Sequence, residues 1–246
     1  MHSDSDVRAA LQLAERGATA SEIARGLGFP RSTVRDWLAG ALPGRRRRLG
    51  CPTCGASHDF ATLAGDYIYL LGMYLGDGCL SEHRRSVYKL RIYLDAAYPG
   101  IIDETRAAIN VVRGRAPAQL AKGANCIEVF SFWRQWICLF PQHARGKKHD
   151  RPIVLTPWQL RLVDRWPEQL LRGLIQSDGC RFQNTGRGGW SAPRYAFSNR
   201  SGDIHGIFRA ACERLGVAWT NAGDNTTYVS RKADVATLDR FIGPKR

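Results

Sequence analysis

Leu70-Leu71-Gly72-Met73-Tyr74-Leu75-Gly76-Asp77-Gly78-Cys79 returns later in the chain as Leu171-Arg172-Gly173-Leu174-Ile175-Gln176-Ser177-Asp178-Gly179-Cys180. The two aspartates stand 101 residues apart (178 − 77), a spacing that suits one supersecondary repeat unit. Gly72 and Gly76 are four residues apart, as are Gly173 and Ser177, so on a helix each decamer presents a small-residue face. Two such faces allow two backbones to approach closely and bring the helix ends side by side. Asp77 and Asp178 then sit at C-terminal helix ends, where the helix dipole disfavours negative charge. Two carboxylates meeting there call for a cation. Mg²⁺ (or Mn²⁺) fits, because it takes carboxylates, waters and phosphate oxygens together. The backbone carbonyls of Gly76 and Ser177 are further candidate ligands. Gly78 and Gly179 are expected in the left-handed turn that leaves each helix.

The order of elements after each decamer also repeats. In the first copy Tyr88–Leu94 alternates like a strand, Ile101–Val112 reads as helix, Ile127–Phe132 alternates again, and Trp133–Phe140 reads as helix. In the second copy the corresponding pieces are the strand Tyr195–Ser198, the helix Asp203–Leu215, the strand Thr226–Ser230 and the helix Ala233–Ile242. Each copy is an αββαββα unit, covering residues 66–152 and 153–246. Trp133, Trp136 and Trp158 belong to the core. The bridge Phe140–Pro152 is polar and basic, suited to a solvated linker or to a backbone wrap on DNA.

The paired decamers and their spacing resemble a single-chain, two-repeat LAGLIDADG homing endonuclease over residues 66–246. That resemblance implies an α+β fold in which a pseudo-symmetric pair of repeats lays saddle-shaped antiparallel sheets over double-stranded DNA. It implies a monomer with internal pseudo-twofold symmetry, and site-specific phosphodiester hydrolysis with metal held by Asp77 and Asp178. Such enzymes often place a lysine near the metals. Aligning Ser131 with Ser230 sets Lys232 opposite Trp133, which makes Lys232 the candidate for stabilising the pentavalent phosphate. Strand residues Lys89, Arg91, Tyr93, Arg181, Gln183, Arg194, Ser198 and Asn199 are expected to face the groove, although a one-residue slip in register would invert that set. Non-cleaving transcriptional regulators on the same fold typically replace the acids. Both acids are present here, which favours cutting over binding alone.

Residues 1–42 read as a separate all-α unit. Thr19-Ala-Ser-Glu-Ile-Ala-Arg-Gly-Leu-Gly-Phe-Pro-Arg-Ser-Thr-Val-Arg-Asp-Trp-Leu38 resembles the helix-turn-helix of bacterial regulators and resolvases. Ser21 is expected to cap the second helix. By that resemblance the third helix enters the major groove, with Arg31, Ser32, Thr33, Arg35 and Asp36 presented to DNA. A recombinase would also carry such a unit, but no nucleophilic Ser or Tyr stands out in a catalytic setting.

Residues 43–65 form a basic linker. Arg45, Arg46, Arg47 and Arg48 make a run that is ordinarily solvated and that, beside a helix-turn-helix, suits phosphates or a narrow minor groove. Cys51-Pro52-Thr53-Cys54-Gly55 follows as a knuckle able to supply two thiolates to Zn²⁺. No second Cys-x-x-Cys accompanies it, so His58, Cys138, His143 and His149 are the candidates for completing a site.

Lys and Arg number 36 against 22 Asp and Glu, a formal charge of +14. Self-repulsion makes this excess unhelpful to folding, and a polyanionic partner explains it. Seven cysteines in a chain of ordinary size argue against a disulfide scaffold and for a reduced cytoplasm, here in association with the nucleoid. No apolar stretch is long enough to cross a membrane, and no h-region marks a signal peptide at the start of the sequence.

Overall fold

A computed structural model describes residues 3–40, 51, 53–114 and 118–246. The expected phosphate contacts Arg45, Arg46, Arg47 and Arg48 lie outside the described residues. The chain divides into two compact units, with the boundary between His58 and Asp59.

In the first unit, helices α1 (Asp4–Glu15), α2 (Ala20–Leu27) and α3 (Arg31–Leu38) close over Val7, Ala10, Ile23, Ala24, Val34 and Trp37. The cap of α2 is Thr19 rather than Ser21. Thr19 Oγ1 accepts from the Glu22 backbone N–H while the Glu22 carboxylate accepts from the Thr19 N–H, a reciprocal box that Ser21, already the second residue of the helix, does not make. Gly28, at φ 70°, ends α2 in the left-handed region, and Pro30 sets the start of α3. These short connections make the tight turn of a helix-turn-helix.

The second unit opens with α4 (Gly65–Asp77), β1 (Gly78–His83), β2 (Val87–Asp95), α5 (Pro99–Arg113), β3 (Gln119–Lys122), β4 (Cys126–Trp133) and α6 (Trp136–Leu139). Helix α7 (Pro157–Arg165), which the repeat pattern does not contain, then leads to the second copy. That copy comprises α8 (Pro167–Asp178), β5 (Gly179–Thr185), β6 (Ser191–Ser198), α9 (Gly202–Arg214), β7 (Thr220–Asn221), β8 (Thr226–Val229) and α10 (Lys232–Asp239). The αββαββα order therefore occurs twice. The antiparallel sheets have corresponding strand orders, β1-β2-β4-β3 and β5-β6-β8-β7. The fold is α+β, as the repeated decamers imply.

Helix α4 is apolar on every side because it is covered on every side. Tyr67 to Leu75 are all buried, with α8, α5, β1 and β2 packed around the helix. Each fully buried leucine contributes about 1.5–3 kcal/mol. Two tyrosine hydroxyls that go inside with α4 are paired. Tyr67 donates to the Leu139 carbonyl at 2.6 Å, and Tyr69 donates to Gln176 Oε1 at 2.6 Å, tying the two copies together. Trp136 is fully buried, while Trp133 and Trp158 pack partly buried against the same core.

The two motif helices touch backbone to backbone. A Cβ on Gly72 would come 2.7 Å from the Leu170 carbonyl oxygen and 2.8 Å from the Leu174 nitrogen, and one on Gly173 would collide with the Tyr69 carbonyl. Neither neighbour is a side chain that can swing away. Gly78 and Gly179 are also demanded by space, not by a left-handed turn. Their φ values are −92° and −116°, ordinary extended backbone, because each glycine passes straight from helix into strand. A Cβ at Gly78 would lie 2.5 Å from Tyr74 Cα, and one at Gly179 would lie 2.8 Å from Ile175 Cα.

Gly173→Ala should therefore destabilise the protein by about 1–3 kcal/mol or more in urea unfolding, as overpacking against fixed backbone does. Gly206→Ala, in α9 with open space around it, should instead stabilise by about 0.4–1 kcal/mol. Equal effects of the two substitutions would contradict a glycine contact between α4 and α8.

Candidate active site

Helices α4 and α8 end on Asp77 and Asp178. At these ends a Cβ on Gly76 would overlap the Ser177 side chain and lie 3.0 Å from Asp178 Oδ2, so the first helix terminus abuts the second acid. Both carboxyls are half-buried. Burial and then the charge of Asp178 push Asp77 up to about 6, against the pull of Lys245 and Lys148. Burial raises Asp178 as well, opposed by the Asn199 hydrogen bond and by Lys148 and Lys245. The pair is uncomfortable as two anions.

Each acid opens into its own cleft. Asp178 lines a cleft of about 390 Å³ with Lys147, Lys148, His149, Ser198, Asn199 and Arg200. Asp77 lines a smaller one of about 160 Å³ with Asp95, Tyr98, Gln176, Ser177 and Lys245. The two lysines have a second task. Lys148 Nζ donates to the carbonyls of Tyr74, Leu75 and Gly76 at 2.5, 2.9 and 2.7 Å, satisfying the orphan acceptors at the end of α4. Lys245 Nζ donates to the Ser177 carbonyl at 3.1 Å at the end of α8. Each lysine thus caps the motif helix of its own copy and shares a cleft with the acid of the other. Burial lowers Lys148 to about 8, although both aspartates favour its charge, and burial lowers Lys245 also. Of the carbonyls named as candidate metal ligands, Gly76 and Ser177, both accept from these ammonium groups.

Sequence reasoning missed this pair. Lys148 lies in the polar bridge and Lys245 in the tail beyond α10, where neither periodicity nor a motif marks them. The available signal was that a lysine follows the last helix of each copy. Lys232 does not occupy this position. It starts α10 exposed, while Val235 and Leu238 turn into the core, and it lines neither acid cleft.

Asn199, expected to read bases, donates its amide to Asp178 Oδ2 at 2.5 Å, and its own oxygen is held by the Ser201 N–H at 2.8 Å. Its counterpart in the first copy is Ala96: the Ala96 N–H donates to the Asn125 carbonyl just as the Asn199 N–H donates to the Asn225 carbonyl. Among the described residues, Asp77 consequently has no amide partner like that of Asp178. The repeat is symmetric in topology and asymmetric in chemistry.

The strand residues divide by face. In β2, Leu90, Ile92 and Leu94 go into the core, leaving Lys89, Arg91 and Tyr93 on the opposite face, as the alternation implies. Their charge is partly used: Lys89 pairs with Glu128 at 2.7 Å and lies over the Phe130 ring, and Arg91 donates to Ser81 Oγ at 2.7 Å. In the second sheet Arg181 and Gln183 belong to the other set. They pair in register with Tyr195 and Pro193, on the face that carries buried Tyr195 and Phe197 into the core. Arg181 forms a two-pronged ion pair with Asp239 of α10 at 2.7 and 2.9 Å. The expected set was therefore one residue out of step in β5, where polar residues occur on both faces and the period gives no warning. Arg194 lies on the outer face, stacked on Tyr228, and Ser198 is exposed at the rim of the Asp178 cleft. In the first unit, Arg31, Ser32, Arg35 and Asp36 are exposed along α3 and Thr33 is half-buried, with Val34 and Trp37 turned inward.

Comparison with known proteins gives the following. A family model described as a homeodomain-like domain matches residues 2–42. No curated protein matches the sequence. A solved structure of the homing endonuclease I-DmoI in complex with DNA and Mn is similar to this chain at 16% identity with a TM-score of 0.49, covering 73% of this chain and 96% of that one. The LAGLIDADG meganuclease I-AabMI bound to uncleaved DNA is similar at 12% identity with a TM-score of 0.46, covering 73% and 83%.

The raised acid makes a prediction about stability. The folded value of Asp77, about 6, lies above its ordinary 3.8, so between those values the native state holds more proton than the unfolded chain. Without added divalent metal, stability should fall as pH rises across that window. Asp77→Asn should remove about 1–2 kcal/mol of that loss, allowing for solvent in the open cleft. Denaturant unfolding of both proteins at several pH values checks this, and a wild-type-minus-variant difference that stays flat between pH 3.8 and 6 would exclude a strained carboxyl at Asp77.

Proposed function

We propose that the chain is a site-specific double-stranded DNA endonuclease of the LAGLIDADG homing type, hydrolysing phosphodiester bonds with Mg²⁺ or Mn²⁺ held by Asp77 and Asp178. The observation that carries this reading is the pair of half-buried carboxyls at abutting helix ends, each in a cleft with a half-buried lysine that caps the other motif helix. A purely structural helix cap has no use for a second anion beside the first, whereas a divalent cation relieves both. The donor set fits a hard cation: two carboxylates, with the carbonyls of Gly76 and Ser177 adjacent once Lys148 and Lys245 turn from them to phosphate. When bound, the ion supplies an activated water and neutralises charge developing on the leaving oxygen.

The remaining roles fall to the protein. Lys148 and Lys245 hold positive charge in the clefts where a phosphate would lie, and either can exchange its carbonyl contacts for phosphate oxygens. Asn199 fixes the Asp178 carboxylate in one orientation. The exposed face of α3 and the outer residues Lys89, Arg91, Tyr93 and Arg194 are the proposed DNA contacts, with Ser198 at the edge. The formal charge of +14 supports a polyanion as the partner. The protein acts as a monomer whose two copies address the two strands, in the cytoplasm at the nucleoid. The homeodomain-like match favours one other reading, a regulator that binds DNA without cutting it.

A site selected from random DNA, then incubated with Mg²⁺ or Mn²⁺, separates the two. Asp77→Asn and Asp178→Asn should each abolish cleavage and leave binding intact, and Lys148→Met should slow cleavage by about 10²–10³-fold. Because Asp178 has an amide partner and, among the described residues, Asp77 has none, the two strands should be nicked at different rates. Affinity should fall with salt at a log–log slope of about −0.9 per phosphate neutralised. Tight specific binding with no strand cut in either metal selects the regulator.

A further inference from the structure

Cys51 and residues 53–59 hold a defined turn without a core to hold it. None of the described residues in this stretch is buried, and none belongs to a hydrophobic cluster. Yet the backbone is tightly folded: the Gly55 N–H donates to the Cys51 carbonyl at 2.8 Å, the Cys51 N–H donates to the Ala56 carbonyl at 2.7 Å, and Gly55 takes φ 75°. The side chains converge on one point. Cys54 Sγ and His58 Nε2 stand 3.0 Å apart, and the ligand atoms of Cys51, Cys54 and His58 all lie within 4.8 Å of one another. Cys51 and Cys54 are not joined as a disulfide.

The geometry points to a structural zinc site made by Cys51, Cys54 and His58, independent of the acids Asp77 and Asp178. Two thiolates and one imidazole are the soft and borderline donors that select Zn²⁺ over Mg²⁺ or Mn²⁺. The turn explains the spacing, since its hydrogen bonds bring the two cysteines to the same side with the histidine facing them. It also supplies what the stretch lacks. Metal–ligand bonds replace the hydrophobic core that so short a segment cannot build, as in small metal-organised modules. A tetrahedral ion has one position more, filled by a donor from outside residues 51–58. Of the other histidines named from sequence, His149 pairs with Asp150 at 3.4 Å and lines the Asp178 cleft, and His143 packs edge-on against Tyr88.

The test is the metal content of the purified full chain, measured by mass spectrometry after exhaustive dialysis. One zinc per chain is expected in the wild type and in the Asp77→Asn/Asp178→Asn double variant. The Cys51→Ser/Cys54→Ser variant should retain none. His58→Ala should weaken zinc binding by more than the about 10–100-fold lost when a residue that merely orients a ligand is removed. Cobalt titrated into the wild type stripped of zinc keeps the question open to test even if the cysteine variant fails to fold. Thiolate-to-cobalt charge-transfer absorption with strong tetrahedral bands is the expected result. A wild type with neither zinc nor that absorption overturns the site, as does zinc undiminished in the cysteine variant. Zinc lost when only the two aspartates are replaced overturns it too, by assigning the ion to the acids.

Discussion

Two helix backbones in van der Waals contact set the geometry on which the rest of the second unit depends. Gly72 lies against the backbone of α8 and Gly173 against the backbone of α4, with carbonyl and amide atoms where side chains would otherwise be. Such contact fixes the distance between the helices and leaves no soft side chain to absorb a change. It also fixes where both helices end. Because Gly76 meets Ser177 one turn further on, Asp77 and Asp178 are delivered to neighbouring positions with no freedom to separate.

The electrostatic character of the site follows from that constraint. Each helix end already carries partial negative charge on its free carbonyls, and each then adds a carboxylate in a partly dry setting. Lys148 and Lys245 answer both problems, donating to the carbonyls while standing in the clefts of the acids. Burial works against their charge as it works against the charge of the aspartates, so all four groups are displaced toward neutrality. A site held in this condition is what the proposed binding of a cation together with a phosphodiester anion would relieve.

The two copies share a topology, a terminal acid and a capping lysine, and differ in the polar detail around them. The clefts differ in size, Asn199 has only Ala96 as its counterpart, and the outer cations are held differently: Lys89 and Arg91 share Glu128, while Arg194 lies on Tyr228. The first unit adds an exposed helix face of Arg31, Ser32 and Arg35, positioned by a core of only a few residues.

Local chemistry in the chain was enough to determine the repeat, the order of its elements, the helix-turn-helix and the position of Asp77 and Asp178 at the ends of the two motif helices. Small-residue spacing, periods of two and of 3.6, and Asp-Gly endings act over a few neighbours and survive being read in isolation. The αββαββα order was legible for the same reason. Tertiary structure alone decided which lysines stand beside the acids, since Lys148 and Lys245 share their clefts from segments distant in sequence, whereas Lys232 turns to solvent. It decided that Arg181 goes to Asp239 and Asn199 to Asp178, because strand register and helix placement choose between two faces that look equally polar in sequence. It also decided the reason for Gly78 and Gly179, which are small because another backbone atom or side chain occupies the space of a Cβ, a fact no neighbour in the chain can reveal.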